Sequence, residues 1–175
     1  MKFINSILTL AIIVFLSSCS DNIPGGNNTN DGNLEGTWNL VFLESESIVN
    51  IDDTEFDIQL VQEIKIEGSN FDFTTTYNED NSLVSGGRYD LSITTTIDGE
   101  TAKISESIDE ENNLAEYTLD GTTLTVYDPS GEVATSTIAK LTSDELILKV
   151  DMIKRDTIVN VITVSDTQSE YRFIR

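Results

Sequence analysis

Apolar and polar residues alternate with a period of two along most of this chain. Ile64 and Ile66 flank Lys65, Phe71 and Phe73 flank Asp72, and Asp90 and Ser92 separate Tyr89, Leu91 and Ile93. The same alternation returns at Tyr117 and Leu119, Leu124 and Val126, Leu146 and Leu148, Val159 and Val161, and Tyr171 and Phe173. Successive side chains of a strand point to opposite faces, so each run predicts a strand with one apolar and one solvated face. Turn-forming residues separate the runs at Gly68-Ser69-Asn70, Asp98-Gly99, Asp120-Gly121 and Asp128-Pro129-Ser130-Gly131. Strands joined by such short connections pair with their chain neighbours in an antiparallel meander. No stretch repeats with a helical period, and residues 44–57 are expected to form a long connection, with a short helical turn or a lid-like loop. The predicted fold class is all-β, an antiparallel up-and-down barrel of about 8–10 strands with an open β-sandwich as the alternative. Closure is favoured because it removes exposed strand edges.

The first residues depart from this pattern. After Lys2 an apolar-rich run includes Ile7, Leu8, Leu10, Ile12, Ile13, Val14, Phe15 and Leu16. About ten apolar-rich positions match a signal peptide, whereas a spanning helix needs about twenty. Residues 1–18 are therefore read as a lipoprotein signal peptide, because the ending Leu16-Ser17-Ser18-Cys19 resembles the lipobox of bacterial lipoproteins. In those proteins the cysteine thiol receives a diacylglycerol, the peptide is cut before it, and the new amine is often acylated. The resemblance implies lipid attachment at Cys19 and a location in the cell envelope, at the outer membrane on its periplasmic or surface face. Two or more acyl chains anchor a protein stably without a spanning segment. Cys19 is the only cysteine, so its lipidation leaves no thiol for a disulfide, a metal or a nucleophile.

Residues 19–33 comprise that cysteine and a segment rich in Gly, Asn and Asp, the composition of a flexible tether. Asn27-Asn28-Thr29 fits a glycosylation sequon but is read as plain polar linker. Residues 34–175 form one domain large enough for a real core.

That domain opens with Leu34-Glu35-Gly36-Thr37-Trp38-Asn39-Leu40. A glycine, one residue and a tryptophan at the first strand resemble the start of lipocalin-like domains, and the chain as a whole is similar to lipocalin-like lipoproteins of Gram-negative bacteria. The hairpin around Asp120-Gly121, the strand pair around Ser143-Asp144 and the closing Tyr171-Arg172-Phe173-Ile174-Arg175 extend the likeness. The resemblance implies a lipocalin-like barrel in which the tryptophan packs under the floor against an arginine from the far end of the chain. Arg172 and Arg175 are both available. Period-two geometry puts Arg175 on the face of Tyr171 and Phe173, which favours it as the partner of Trp38. Gly36, Trp38 and Arg175 are thus expected to close the barrel structurally. The family often carries small apolar ligands, which implies a barrel that binds a small apolar or amphipathic molecule. The alternative is a non-enzymatic surface module with a filled barrel, contacting a protein or glycan through residues 44–57 or 78–87.

Charge and chemistry narrow these options. With 31 acidic against 10 basic residues and a net charge of −21, nucleic acid is not an expected partner, and anionic headgroups repel the domain. Membrane contact then falls to the acyl chains on Cys19, and the barrel is expected to be a monomer. Asp53-Thr54-Glu55-Phe56-Asp57 begins like a calcium loop, but Ile58 and Ile64 stand where glycine and glutamate are needed. Asp109-Glu110-Glu111-Asn112-Asn113 reads as a solvated acidic loop, so no metal is expected. The chain has no histidine, which excludes Ser-His-Asp and Cys-His catalysis and imidazole zinc sites. It also lacks a nucleophile elbow, a phosphate loop and a dinucleotide fingerprint. No enzyme activity and no cofactor are expected.

Overall fold

In the computed structural model of the protein, residues 32–175 are described. Cys19, residues 1–18 read as a signal peptide and most of the segment read as a tether lie outside the described residues. Eight strands follow one another: β1 (Gly36–Asp53), β2 (Ile58–Tyr77), β3 (Ser82–Ile97), β4 (Glu100–Asp120), β5 (Thr123–Tyr127), β6 (Val133–Leu141), β7 (Glu145–Ile158) and β8 (Val161–Ile174). Each pairs antiparallel with its chain neighbours, and β8 returns to β1 to close the barrel. The sandwich alternative is not adopted.

Several strands are longer than the alternation suggests. β2 takes in both the Ile64/Ile66 and the Phe71/Phe73 runs, so Gly68-Ser69-Asn70 is an irregularity inside a strand instead of a turn. There the register with β3 shifts between Ser69 and Asp72, and Asn70 takes a φ of 52°. The expected connection at 44–57 is also mostly strand, because β1 runs on to Asp53 and only residues 54–57 turn. Its inward positions are polar yet tolerated. Ser45 Oγ lies 2.8 Å from Ser169 Oγ and Ser47 Oγ lies 2.8 Å from Thr167 Oγ1, so these hydroxyls satisfy one another across β1 and β8. Residues 78–87 likewise resolve into a short turn followed by β3, and residues 109–113 belong to β4. Val159, expected in a strand, sits in the β7–β8 turn with a φ of 56°. Gly32, ahead of β1, also touches the barrel, its N donating to Leu141 O at 3.3 Å.

Register breaks line up across neighbouring strands. They fall between Asn39 and Glu44 in β1, between Ser69 and Asp72 in β2, and between Ser85 and Gly87 in β3. At this level the backbones approach closely. Gly87 has a φ of 122°, and a Cβ placed on it would stand 2.1 Å from Asp72 O. Bulges increase local twist and bend the strands that carry them. Below this line all eight strands participate, and both described chain ends lie there.

The core fills that closed end. Trp38, Leu124, Ile138 and Leu146 are fully buried, and Tyr77 meets Tyr117 edge-on with ring centroids 5.1 Å apart. A second aromatic group sits above them, with Phe73 edge-on to Tyr89 at 5.4 Å and Phe71 tilted against Tyr89 at 6.3 Å. Tyr171 packs against the same core.

Burial pushes the phenols of Tyr77, Tyr89, Tyr117 and Tyr171 above their ordinary value of 10.0, and nearby Glu110 adds to the effect at Tyr89. A raised folded-state value keeps the neutral phenol in the fold, so this stabilisation is complete below pH 10.0 and is lost as pH rises through the folded values. The expected result is a melting temperature that falls above that pH. Phenolate absorbance should rise together with unfolding, as parallel absorbance and circular dichroism titrations would show.

Candidate functional site

Unequal strand lengths create the candidate site. β5 has 5 residues and β6 has 9, against 21 in β4 and 14 in β7. β4 meets β5 only from Glu116 to Asp120, and β7 meets β6 only from Leu146 to Lys149. Above those levels the strands β7-β8-β1-β2-β3-β4 continue as a six-stranded sheet without β5 and β6 across its interior face, where Ser45, Thr167 and Ser169 stay buried and the aliphatic positions farther from the core are half-buried.

The interior face of this upper sheet is divided by chemistry. β2 and β3 contribute Ile64, Ile66, Leu91 and Ile93, of which Leu91 is buried and the rest are half-buried. Adjacent β1 and β8 contribute Ser45, Ser47, Thr167 and Ser169, which form the two hydroxyl pairs described above. Ser165 and Thr163 continue the hydroxyl row upward, opposite Val49 and Ile51 in register. Phe71, Tyr89 and Tyr171 lie below, between this face and the packed core. An aliphatic flank beside a hydroxyl flank suits a molecule with both apolar and polar parts. One acidic group shares the face: Glu106 pairs in register with Leu91, and its Oε2 is buried without a hydrogen-bond partner.

Gly36, Trp38 and Arg175 lie together at the opposite, closed end. The Arg175 guanidinium carbon stands 4.1 Å from the Trp38 ring centre, while Arg172 stacks outside on Phe42 at 4.5 Å. Trp38 Nε1 donates to Leu34 O at 2.8 Å, and Arg175 Nη2 donates to Asn33 O at 2.7 Å and also to Glu35 O. Gly36 lies against the guanidinium with a φ of 116°. Each of these polar contacts ends on backbone of residues 33–35, so the cluster ties the start of β1 to the end of β8.

The acidic segments take structural parts. Asp53 Oδ1 accepts from Glu55 N at 3.0 Å and Phe56 N at 3.2 Å, which caps the β1–β2 turn. Asp109, Glu110 and Glu111 are consecutive residues of β4, and among the described residues no three metal-ligating side chains converge. On the outer wall a groove between β1, β7 and β8 is lined by Phe42, Glu46, Lys149, Gln168, Glu170 and Arg172. Its charges pair locally, with Arg172 2.6 Å and Lys149 3.4 Å from Glu170. Exposed pairs of this kind contribute about 0–1 kcal/mol.

The hydroxyl flank is the part that alternation alone misses, because Ser and Thr at inward positions do not register as a core face. The available signal was length: the Leu124/Val126 run is pinned between turns at Asp120-Gly121 and Asp128-Pro129, too close together for a strand as long as its neighbours. In comparison with known proteins, no family model, no curated protein and no solved structure matches this chain.

Proposed function

We propose that this is a lipid-anchored envelope protein, with a lipocalin-like barrel that binds a small amphipathic molecule on the interior face of its upper sheet. The observation that carries this reading is the half-buried aliphatic flank of Ile64, Ile66 and Ile93 beside the hydroxyls of β1 and β8, above the reach of short β5 and β6. Covering apolar surface there stabilises a complex by about 25 cal/mol per Å². A polar group placed against the hydroxyl row keeps its hydrogen bonds. The lipobox-like segment ending at Cys19 supports attachment through acyl chains. No helix among the described residues is long and apolar enough to cross a membrane. The described residues begin at the closed end, with Gly32 against Leu141, and the aliphatic and hydroxyl face lies toward the opposite end of the barrel. The fully packed floor favours a second reading, in which the barrel is a filled interaction module.

A Cys19→Ser chain secreted into a bacterial envelope and examined by native mass spectrometry separates the two. A discrete adduct that leaves on organic extraction is expected, with Ile64→Glu and Ile93→Glu each reducing its occupancy. A bare protein mass, with no melting shift across fatty acids, isoprenoids and sterol-like compounds, would reject the ligand reading.

A further inference from the structure

Two strand edges are left open by the short β5 and β6. Among the described residues, β4 pairs only with β3 over residues 100–115, and β7 pairs only with β8 over residues 150–158. The two edges differ in charge. On the β4 edge Glu100, Glu106, Asp109, Glu110 and Glu111 face a single cation, Lys103, whereas on the β7 edge Asp151 and Asp156 are balanced by Lys154 and Arg155. An open edge presents a row of backbone donors and acceptors ready to pair with an added strand.

The β4 edge also has a readable side-chain code. Its register against Leu91 and Ile93 of β3 puts Ile104, Glu106 and Ile108 on the interior face, followed past Tyr89 by Glu110 at the bulge. Acidic and aliphatic positions thus alternate along that face. Within this row Glu106 Oε2 is buried and lacks a hydrogen-bond donor. A buried acceptor without a partner is costly, and a donor brought by a neighbouring strand removes that cost.

We propose that the β4 edge accepts an extended cationic segment of a partner protein as an additional strand. Its basic residues stand opposite Glu106 and Glu110, and aliphatic residues stand opposite Ile104 and Ile108. Charge selects this occupant over a second copy: β4 against β4 would set carboxylates against carboxylates, and the β7 edge of a second copy brings no net positive charge, its Lys154 and Arg155 being offset by Asp151 and Asp156. The same acidic residues therefore discourage self-association and attract a basic strand.

The test uses the full-length protein, purified from membranes in neutral detergent, and a fluorescent peptide with alternating Lys and Val on one face and Thr on the other. Anisotropy titrations are expected to show saturable binding that weakens with added salt and falls at least about tenfold in a Glu106→Gln, Glu110→Gln variant with unchanged melting temperature. N-methylation of alternate peptide amides, which keeps the charge but blocks the backbone ladder, should abolish binding. Equal binding by the N-methylated or a scrambled peptide would reduce the effect to general charge attraction and overturn the proposal. So would full affinity in the double variant, no binding at all, or a sedimentation result in which a second copy occupies the edge.

Discussion

Replacing Trp38 by alanine is expected to destabilise the barrel by about 3–5 kcal/mol, the range for emptying a large aromatic site in a packed core. The indole is completely buried, and three kinds of contact end with it. Its Nε1 no longer holds Leu34 O, the Arg175 guanidinium loses the ring beneath it, and the cavity opens beside Leu124 and Leu146 in the same cluster. Arg175 keeps its bonds to Asn33 O and Glu35 O, so the fold should survive in weakened form. Urea denaturation checks this: the midpoint should fall with the slope unchanged. A change within about 0.5 kcal/mol would remove Trp38 from the role of barrel floor.

Gly87→Ala is expected to cost about 3 kcal/mol, although the substitution adds a single methyl group. The site fails on two counts. Its φ of 122° is a conformation that residues with a Cβ rarely adopt, and the added carbon would stand 2.1 Å from Asp72 O and 2.8 Å from Phe73 Cα. Both obstacles are backbone of the paired strand, so no side-chain rotation relieves them. The β2–β3 ladder must separate locally. Gly99 provides the control, since it also has a positive φ, of 81°, but nothing lies within 4 Å of its Cβ position. Gly99→Ala should cost about 1 kcal/mol, the conformational component alone. Equal losses at both sites, measured by thermal denaturation, would show that the close approach at Gly87 is unimportant.

Architecture was legible in the sequence wherever inward positions were apolar and turns were tight. The hairpins at Asp98-Gly99 and Asp120-Gly121 turn where the residues indicate, with φ values of 52° and 81° at the first and 59° at Gly121. Legibility failed where local chemistry imitated another structure. Gly68-Ser69-Asn70 carries turn residues because a bulge needs the same backbone freedom, Asn70 taking a φ of 52°, and because a Cβ on Gly68 would lie 2.7 Å from the Phe71 ring. The stretch after Glu44 looked like a connection because Ser45 and Ser47 are polar, and only pairing with residues more than a hundred positions away makes them good interior residues. Residues 109–113 looked like a loop because their charges are tolerated on a strand that lacks a second neighbour. The candidate site is half legible: its aliphatic flank of Ile64, Ile66, Leu91 and Ile93 lies in runs that alternate plainly, and its hydroxyl flank lies in the unreadable stretch after Glu44. It depends on how far strands extend past one another, a property of pairing that no single run of residues contains.

The aligned register breaks through β1, β2 and β3 also have a consequence for cooperativity. A continuous ladder transmits opening from one residue pair to the next, whereas bulges leave gaps in the hydrogen-bond lattice at which opening can stop. Below them lies the dense aromatic core, and above them lie exposed apolar residues such as Ile58, Ile153 and Ile158. Backbone amides of the two halves should therefore exchange with deuterium as separate groups, those of the upper strands through a low-energy local opening and those around Trp38 only through global unfolding. On that expectation the molecule is a rigid base carrying a softer blade, joined without a break only through the continuous β7–β8 ladder.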